Sequence, residues 1–342
     1  MVVKRFIFFC DFSRNAGLGH LMRSSALAKE LILKGYIVYF ISINSNKKII
    51  SYLKKKKIKI LPFKKKNIFS FLNSINFSKQ DVLIIDNYNV SLKSITKLKQ
   101  SGISLVVIND MSKVKTNADI ILSQNLSINL SNYKKTNSSQ ILFGRKYSLI
   151  RDEIKKIKRI KTKKINIFLS FGGGMFDSFI YKFLKVIKKI DNSLPFKANL
   201  LFVVNNFDKK NIKKYFKNLN NFNVKYLINK YDLSKYLAVS DFSINAGGVT
   251  SHEMIYLGIP QIAFSTAKNQ DMNVKMIKKN NLGICMGNIK NFKENLFLKQ
   301  LSNFMFNKKI KNKISVKCKK FIDGHGAERS AQKIINYYKK KY

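Results

Sequence analysis

The chain has 342 residues, 45% of them hydrophobic, which is enough for two cores and too long for one ordinary core. Its 66 Lys and Arg against 18 Asp and Glu leave a formal charge of +48, spread along the chain and carried mostly by Lys. That spread, together with abundant Asn, Ile, Phe and Tyr, 3 Pro and no Trp, reads as the drift of A- and T-rich codons rather than a dedicated nucleic-acid surface.

Arg-containing Lys4–Cys10 is an apolar strand pattern, followed by a glycine turn over Asn15–Gly19. A helix is expected over His20–Lys34, from the spacing of Leu21, Ala26, Leu27, Leu31 and Ile32, with Gly35 as its C-terminal stop. Tyr36–Ile43 is the next strand, completing a β-α-β unit. The grammar repeats with strand Asp81–Asp86, helix Ser91–Gln100 and strands Ser104–Ile108 and Ile120–Leu122. Arg151–Lys164 is charged and aperiodic, and the domain boundary is placed there.

The pattern then restarts. Strand Ile165–Ser170, a turn Phe171–Gly174, a helix from about Ser178 to Ile190 and strand Asn199–Val204 come first. Helix Asp232–Val239, strand Asp241–Asn245, turn Gly247-Gly248, helix Ser251–Leu257 and strand Gln261–Phe264 follow, and Ala327–Lys340 is a terminal helix. The expected fold class is α/β: two Rossmann-like domains with parallel sheets facing a cleft. The N-terminal domain is 1–155 and the C-terminal domain 165–342, the terminal helix able to pack back on the first. Ligands belong at the C-terminal ends of the strands.

Cys10, Cys285 and Cys318 are far apart and lack C-x-x-C spacing, which argues against a disulfide framework or a zinc site. Met1–Phe9 is too short to cross a membrane and leads into Cys10-Asp11 without a small-residue cleavage site. The expectation is a cytoplasmic protein with no integral membrane segment, whose basic surface attracts anions in a salt-dependent way.

The sharpest local feature is Gly17-Leu18-Gly19-His20-Leu21-Met22-Arg23, a glycine turn feeding a helix. Histidine is the usual general base, and the positive end of a helix disfavours a second charge on the ring. Arg23 lies on nearly the same face, as an anion ligand or a surface ion-pair partner. Gly172 and Gly173 follow the first strand of the second half, and Gly247, Gly248, Thr250, Ser251 and Glu253 form a turn able to hold phosphates by N–H and hydroxyl groups. Glu253 suits ribose hydroxyls. The alternative for this turn is capping by Thr250 or Ser251. Asn269 and Gln270 suit a nucleobase or sugar. Asp11, Asp86, Tyr88 and Asp110 stand at strand ends on the His20 rim, as sugar contacts, as partners that orient a catalytic group, or as caps.

These residues resemble the nucleotide-sugar hydrolases of pseudaminic acid biosynthesis, which cleave UDP-2,4-diacetamido-2,4,6-trideoxy-β-L-altropyranose. The chain is also similar, more distantly, to the peptidoglycan N-acetylglucosaminyltransferase. The likeness rests on Gly17-Leu18-Gly19-His20 with Arg23, Asp86-Asn87-Tyr88, Tyr147–Arg151, Gly172-Gly173, Ala246–Glu253, Asn269-Gln270 and the tail Asp323–Arg329. It implies a GT-B fold and a UDP-sugar substrate with water as acceptor, His20 activating the water and the second domain holding UDP. It implies no cofactor and no metal. The sequence departs from the family at Phe9, Met175 and His252. A GT-B glycosyltransferase using a UDP-sugar donor is the alternative; a nucleic-acid-binding protein leaves the histidine and glycine turns unexplained.

Overall fold

Strands buried on both faces of a sheet read as unbroken apolar runs, and this chain supplies them repeatedly. In the computed structural model, which describes residues 3–10, 18–42, 47–63, 67–111, 116–126, 140–172, 177–204, 216–228 and 230–341, those runs form the centres of two parallel sheets. The chain divides into two units, Met1–Asp152 with Gly324–Tyr342, and Glu153–Asp323.

The first unit holds strands β1 (Arg5–Cys10), β2 (Ile37–Ser42), β3 (Lys59–Pro62), β4 (Asp81–Asp86), β5 (Ser104–Ile108), β6 (Ile120–Ser123) and β7 (Gln140–Phe143). They lie in the order β3-β2-β1-β4-β5-β6-β7, all parallel. The helices of this unit are α1 (Gly19–Leu33), α2 (Lys47–Lys55), α3 (Ile68–Ser74) and α4 (Leu92–Gln100), and the chain leaves it at the start of α5 (Asp152–Lys155). One core gathers Ile7, Phe9, Ile41, Leu83, Ile85, Leu105 and Val107 from the strands against Phe71, Leu72 and Leu98 from the helices. Gly35 follows α1 with φ +88°, and Tyr36 N–H closes back on Leu31 O at 3.1 Å, the stop that the sequence signals.

The second unit holds α6 (Asp177–Ser193), α7 (Ser234–Ala238), α8 (Val249–Leu257), α9 (Asp271–Lys279), α10 (Glu294–Phe306) and α11 (Lys308–Lys319). Its strands are β8 (Ile165–Ser170), β9 (Ala198–Val204), β10 (Phe222–Ile228), β11 (Phe242–Ala246), β12 (Gln261–Ser265) and β13 (Ile284–Asn288), in the parallel order β10-β9-β8-β11-β12-β13. The core is rich in phenylalanine, with Phe171, Phe179, Phe183, Phe264, Phe292 and Phe297 in mutual edge and tilted contacts. The charged stretch 153–164 packs with this unit, where Ile160 N–H donates to Ala238 O at 2.8 Å.

The terminal helix α12 (Gly326–Lys341) belongs to the first unit. Gly326 leaves no room for a side chain: a Cβ there would stand 2.2 Å from Ser148 O. At the far end Asp119 accepts from Lys99 Nζ (2.5 Å), Lys341 Nζ (2.9 Å) and Tyr338 OH (3.2 Å), and Leu105 N–H meets it at 2.8 Å.

Each sheet starts in its middle. β1 lies between β2 and β4, and β8 between β9 and β11, so successive connections leave on opposite sides and a crevice opens at the carboxyl ends between the pair. In the first unit that switch point is marked by Cys10 beside Asp86, and in the second by Ser170 beside Asn245.

Candidate active site

β4 carries a buried carboxylate at each end. Asp81 opens it and is held by Arg5 Nε at 2.8 Å. Asp86 closes it at the switch point, and there the partners come from α1. Arg23 donates to Asp86 through Nε (2.9 Å to Oδ2) and an η nitrogen (2.5 Å to Oδ1). Ser24 Oγ–H donates to Oδ2 at 2.7 Å. His20, one turn earlier, places Nδ1 2.8 Å from Asp86 Oδ1 and 3.0 Å from the Asp86 backbone oxygen. Both of those partners only accept, so Nδ1 carries the proton and Nε2 keeps the lone pair.

The other η nitrogen of Arg23 reaches Asp110, which follows β5. Asp110 in turn accepts from Gln124 N–H at 3.2 Å and Ser123 Oγ at 3.4 Å. Burial pushes the Asp86 carboxyl up, but the Arg23 charge and the hydrogen bonds from Arg23 and His20 outweigh it and hold the group well below the ordinary carboxylate range. Tyr88 sets its ring edge-on to the His20 imidazole, centroids 4.6 Å apart. Its ring is partly exposed while its hydroxyl lies inside, 3.4 Å from Arg23; that burial pushes the phenol up.

α1 starts at Gly19 without a side-chain cap and without an acidic residue in its first turn, so its first N–H groups and positive end face the switch point. Ten of its fifteen residues are buried, including Arg23, Ser24 and Ser25. A helix whose first two turns bury polar side chains against a strand end is organised for a site more than for packing. Asp110, expected on the His20 rim from its place at the end of a buried strand, joins this cluster through Arg23, and Ser24 joins it without any signal in the sequence.

In the second unit α8 begins the same way. Its N-cap is Gly248, with no side-chain cap and no acid in the first turn. The capping alternative for Thr250 and Ser251 does not hold: both lie within the helix, and Ser251 turns inward to donate to Gln261 Oε1 at 2.6 Å. Gly247 is packed so tightly that a Cβ would stand 2.2 Å from Val274 Cγ2, and Gly248 abuts Gln270, whose Nε2 would be 3.5 Å from a Cβ there. Gln270 is fixed from its other end, Oε1 accepting from Thr266 N–H (2.8 Å) and Thr266 Oγ1 (3.0 Å). Its amide N–H groups therefore stand beside the uncapped helix start. Thr250 and Asn269 are half-buried near this turn, and Glu253 is buried on α8. Gly172, with φ +65° and open space around it, follows β8. Asp11, Gly17 and Gly173 lie outside the described residues, as does most of each of their turns. Among the described residues no three His, Cys, Asp or Glu side chains gather as metal ligands, and no helix is long and apolar enough to cross a membrane.

The solved structures most like this chain include MurG from Acinetobacter baumannii, with TM-score 0.66 and 14% identity, covering 97% of this chain and 99% of that one. A putative UDP-N-acetylglucosamine 2-epimerase from Listeria monocytogenes matches with TM-score 0.68 and 12% identity, over 99% and 97% of the two chains. The fold is GT-B. No protein-family profile matches the sequence. Among curated proteins, relatives of this chain include the UDP-2,4-diacetamido-2,4,6-trideoxy-beta-L-altropyranose hydrolase of Campylobacter jejuni, 24% identical over 80% of this chain and 96% of that protein. The spore coat polysaccharide biosynthesis protein SpsG of Bacillus subtilis is 18% identical over 97% and 98%. An uncharacterized protein of Methanocaldococcus jannaschii is 24% identical over 80% of this chain; the match spans only 58% of that longer protein.

Proposed function

We propose that this protein hydrolyses a UDP-linked diacetamido-trideoxy sugar at its anomeric carbon, releasing free sugar and UDP, as a step toward a nonulosonic acid of the pseudaminic type. The observation that carries this reading is the His20–Asp86 pair, which fixes the tautomer with its basic nitrogen at Nε2. The likeness to the Campylobacter hydrolase supports the choice of substrate.

In this reading a water oxygen attacks the anomeric carbon while His20 Nε2 takes one of its protons. The bond between that carbon and the diphosphate oxygen breaks, its electron pair leaving with UDP, and the configuration inverts. Asp86 stabilises the imidazolium that forms. Tyr88 walls the ring and Gly19 lets the substrate approach the start of α1. Gly172, Gly247, Gly248, Thr250 and the Gln270 amide bind the diphosphate, where the uncapped start of α8 favours negative charge. Glu253 holds the ribose and Asn269 the base or sugar, while Ser251 shapes the turn through Gln261. Arg23 acts through Asp86 rather than on the substrate. The reaction as written needs no cofactor.

The test is incubation of the purified protein with UDP-2,4-diacetamido-2,4,6-trideoxy-β-L-altropyranose and no acceptor, following UDP and free sugar. Equal release of both, lost in His20→Ala, supports the proposal. Release of UDP only when an alcohol acceptor is added makes the protein a transferase.

A further inference from the structure

Arg23 is almost fully buried between two carboxylates, Asp86 on one side and Asp110 on the other. Only Asp86 touches His20. A lone Asp86 is enough to orient an imidazole and one cation is enough to neutralise Asp86, so the second carboxylate needs a reason of its own. Burying it beside the first is costly unless charge or geometry requires it.

We propose that Asp110 is a positioning residue that acts through Arg23 to set the charge of the His20–Asp86 pair, holding the buried cluster one unit negative until His20 takes a proton. The tally is direct. With His20 neutral, Arg23 against Asp86 and Asp110 leaves −1; the proton that His20 accepts from water brings the cluster to zero. Without Asp110 the same proton would create a net positive charge, and without Arg23 two carboxylates would favour the proton in the resting state. Asp110 also has its own supports, Gln124 N–H and Ser123 Oγ on Oδ1, so the guanidinium is gripped from a fixed point on β5 and β6 as well as from β4. The groups facing the cluster are His20, Arg23 and Ser24 from α1, Asp86 and Tyr88 from the end of β4, and Asp110 after β5. Arg151 is also buried and donates to Met22 Sδ at 3.2 Å.

This inference rests on the functional reading only for its purpose; its test does not need substrate. The chain has three histidines, so the His20 ring signal can be followed by NMR as a function of pH in the purified full-length protein. In Asp110→Asn, which keeps the shape of the side chain, the His20 titration moves to lower pH by roughly half a unit or more. In Arg23→Gln it moves to higher pH. In the unaltered protein the Arg23 guanidinium signals shift in step with the His20 titration, because both residues grip Asp86.

If the Asp110→Asn protein is folded and its His20 titration superimposes on that of the unaltered protein, the proposal is overturned. A guanidinium that is blind to the His20 titration overturns it as well, even where both variants fail to fold. On the activity side, Asp110→Asn lowers kcat about tenfold or more with KM little changed, and the acid limb of its rate profile moves with the ring titration. A protein that releases no UDP sinks the functional reading and leaves the ring titrations standing as the judge of this one.

Discussion

Asp86 Oδ1 lies 2.8 Å from His20 Nδ1, although the two residues are 66 positions apart and sit on different elements. The pair forms because β1 and β4 are neighbours in the sheet and α1 leaves from the end of β1.

Replacing either member should strike the chemical step. His20→Ala is expected to lower kcat by about 10²- to 10⁴-fold, with UDP binding kept. Asp86→Asn should fall in the same range, because the carboxylate charge that stabilises the imidazolium is gone. UDP release under saturating substrate, with calorimetric UDP binding alongside, checks both.

The depressed pKa of Asp86 also fixes a pH window for stability. Its folded-state value lies below the unfolded one of about 3.9, so its contribution is complete above that pH and is lost as the pH falls toward the folded value. Asp119, held by Lys99, Lys341 and Leu105 N–H against the upward push of burial, is shifted the same way. Denaturant melts should therefore show a gap between the unaltered protein and Asp86→Asn that is wide at pH 7 and narrows below pH ~4. A gap of constant size would contradict the assignment.

Gln270 offers a test of the second turn that separates binding from folding. Gln270→Glu keeps an acceptor for Thr266 but replaces the amide donor with a negative charge beside Gly248. UDP affinity should fall by about tenfold or more while the melting temperature holds, as expected for a carboxylate placed against a diphosphate. Unchanged UDP affinity would remove the diphosphate from this turn.

Three glycines should rank by what surrounds them. Gly326→Ala drives a Cβ into the Ser148 backbone and Gly247→Ala into the Val274 side chain, each at 2.2 Å. Overpacking of this kind costs about 1–3 kcal/mol, with Gly326 the worse because backbone cannot turn aside. Gly172→Ala meets nothing, and its cost of about 1 kcal/mol comes from φ +65° alone. Thermal melts of the three variants check the order.

The cysteines should differ in reactivity. Burial pushes the Cys318 thiol up to about 12, and it also donates to Leu282 O at 3.3 Å. A thiol reagent at pH 8 should label half-buried Cys285 and leave Cys318 untouched until the protein unfolds. Labelling of Cys318 at the rate of Cys285 in folded protein would refute this.

The sequence was legible where strands are central. β1, β2, β4, β5, β6, β8, β9, β11 and β12 all show as apolar runs, because most of their residues are buried within the sheets. The strands it did not reveal are β3, β7, β10 and β13, the four sheet edges. Their burial is partial or alternating, as in the exposed and half-buried residues of Lys59–Pro62, and edge position is a property of the assembled sheet. Helices α2, α9, α10 and α11 were hidden for a related reason: Lys- and Asn-rich segments reveal their apolar face only against the core they pack on.

For the site, the sequence by itself determined the turn chemistry: two glycine-rich starts of helices, each following a buried strand, and a histidine at the first. Those are local matters, fixed by backbone freedom at glycine and by the order of elements along the chain. Which charges meet was decided only by tertiary structure. Arg23 reads from the sequence as an anion ligand or a surface ion-pair partner, but strand order brings two carboxylates from β4 and β5 to the same guanidinium, and buried charge settles on the nearest opposite charge. The sequence put a histidine at the start of a helix; the sheet put a carboxylate beside it.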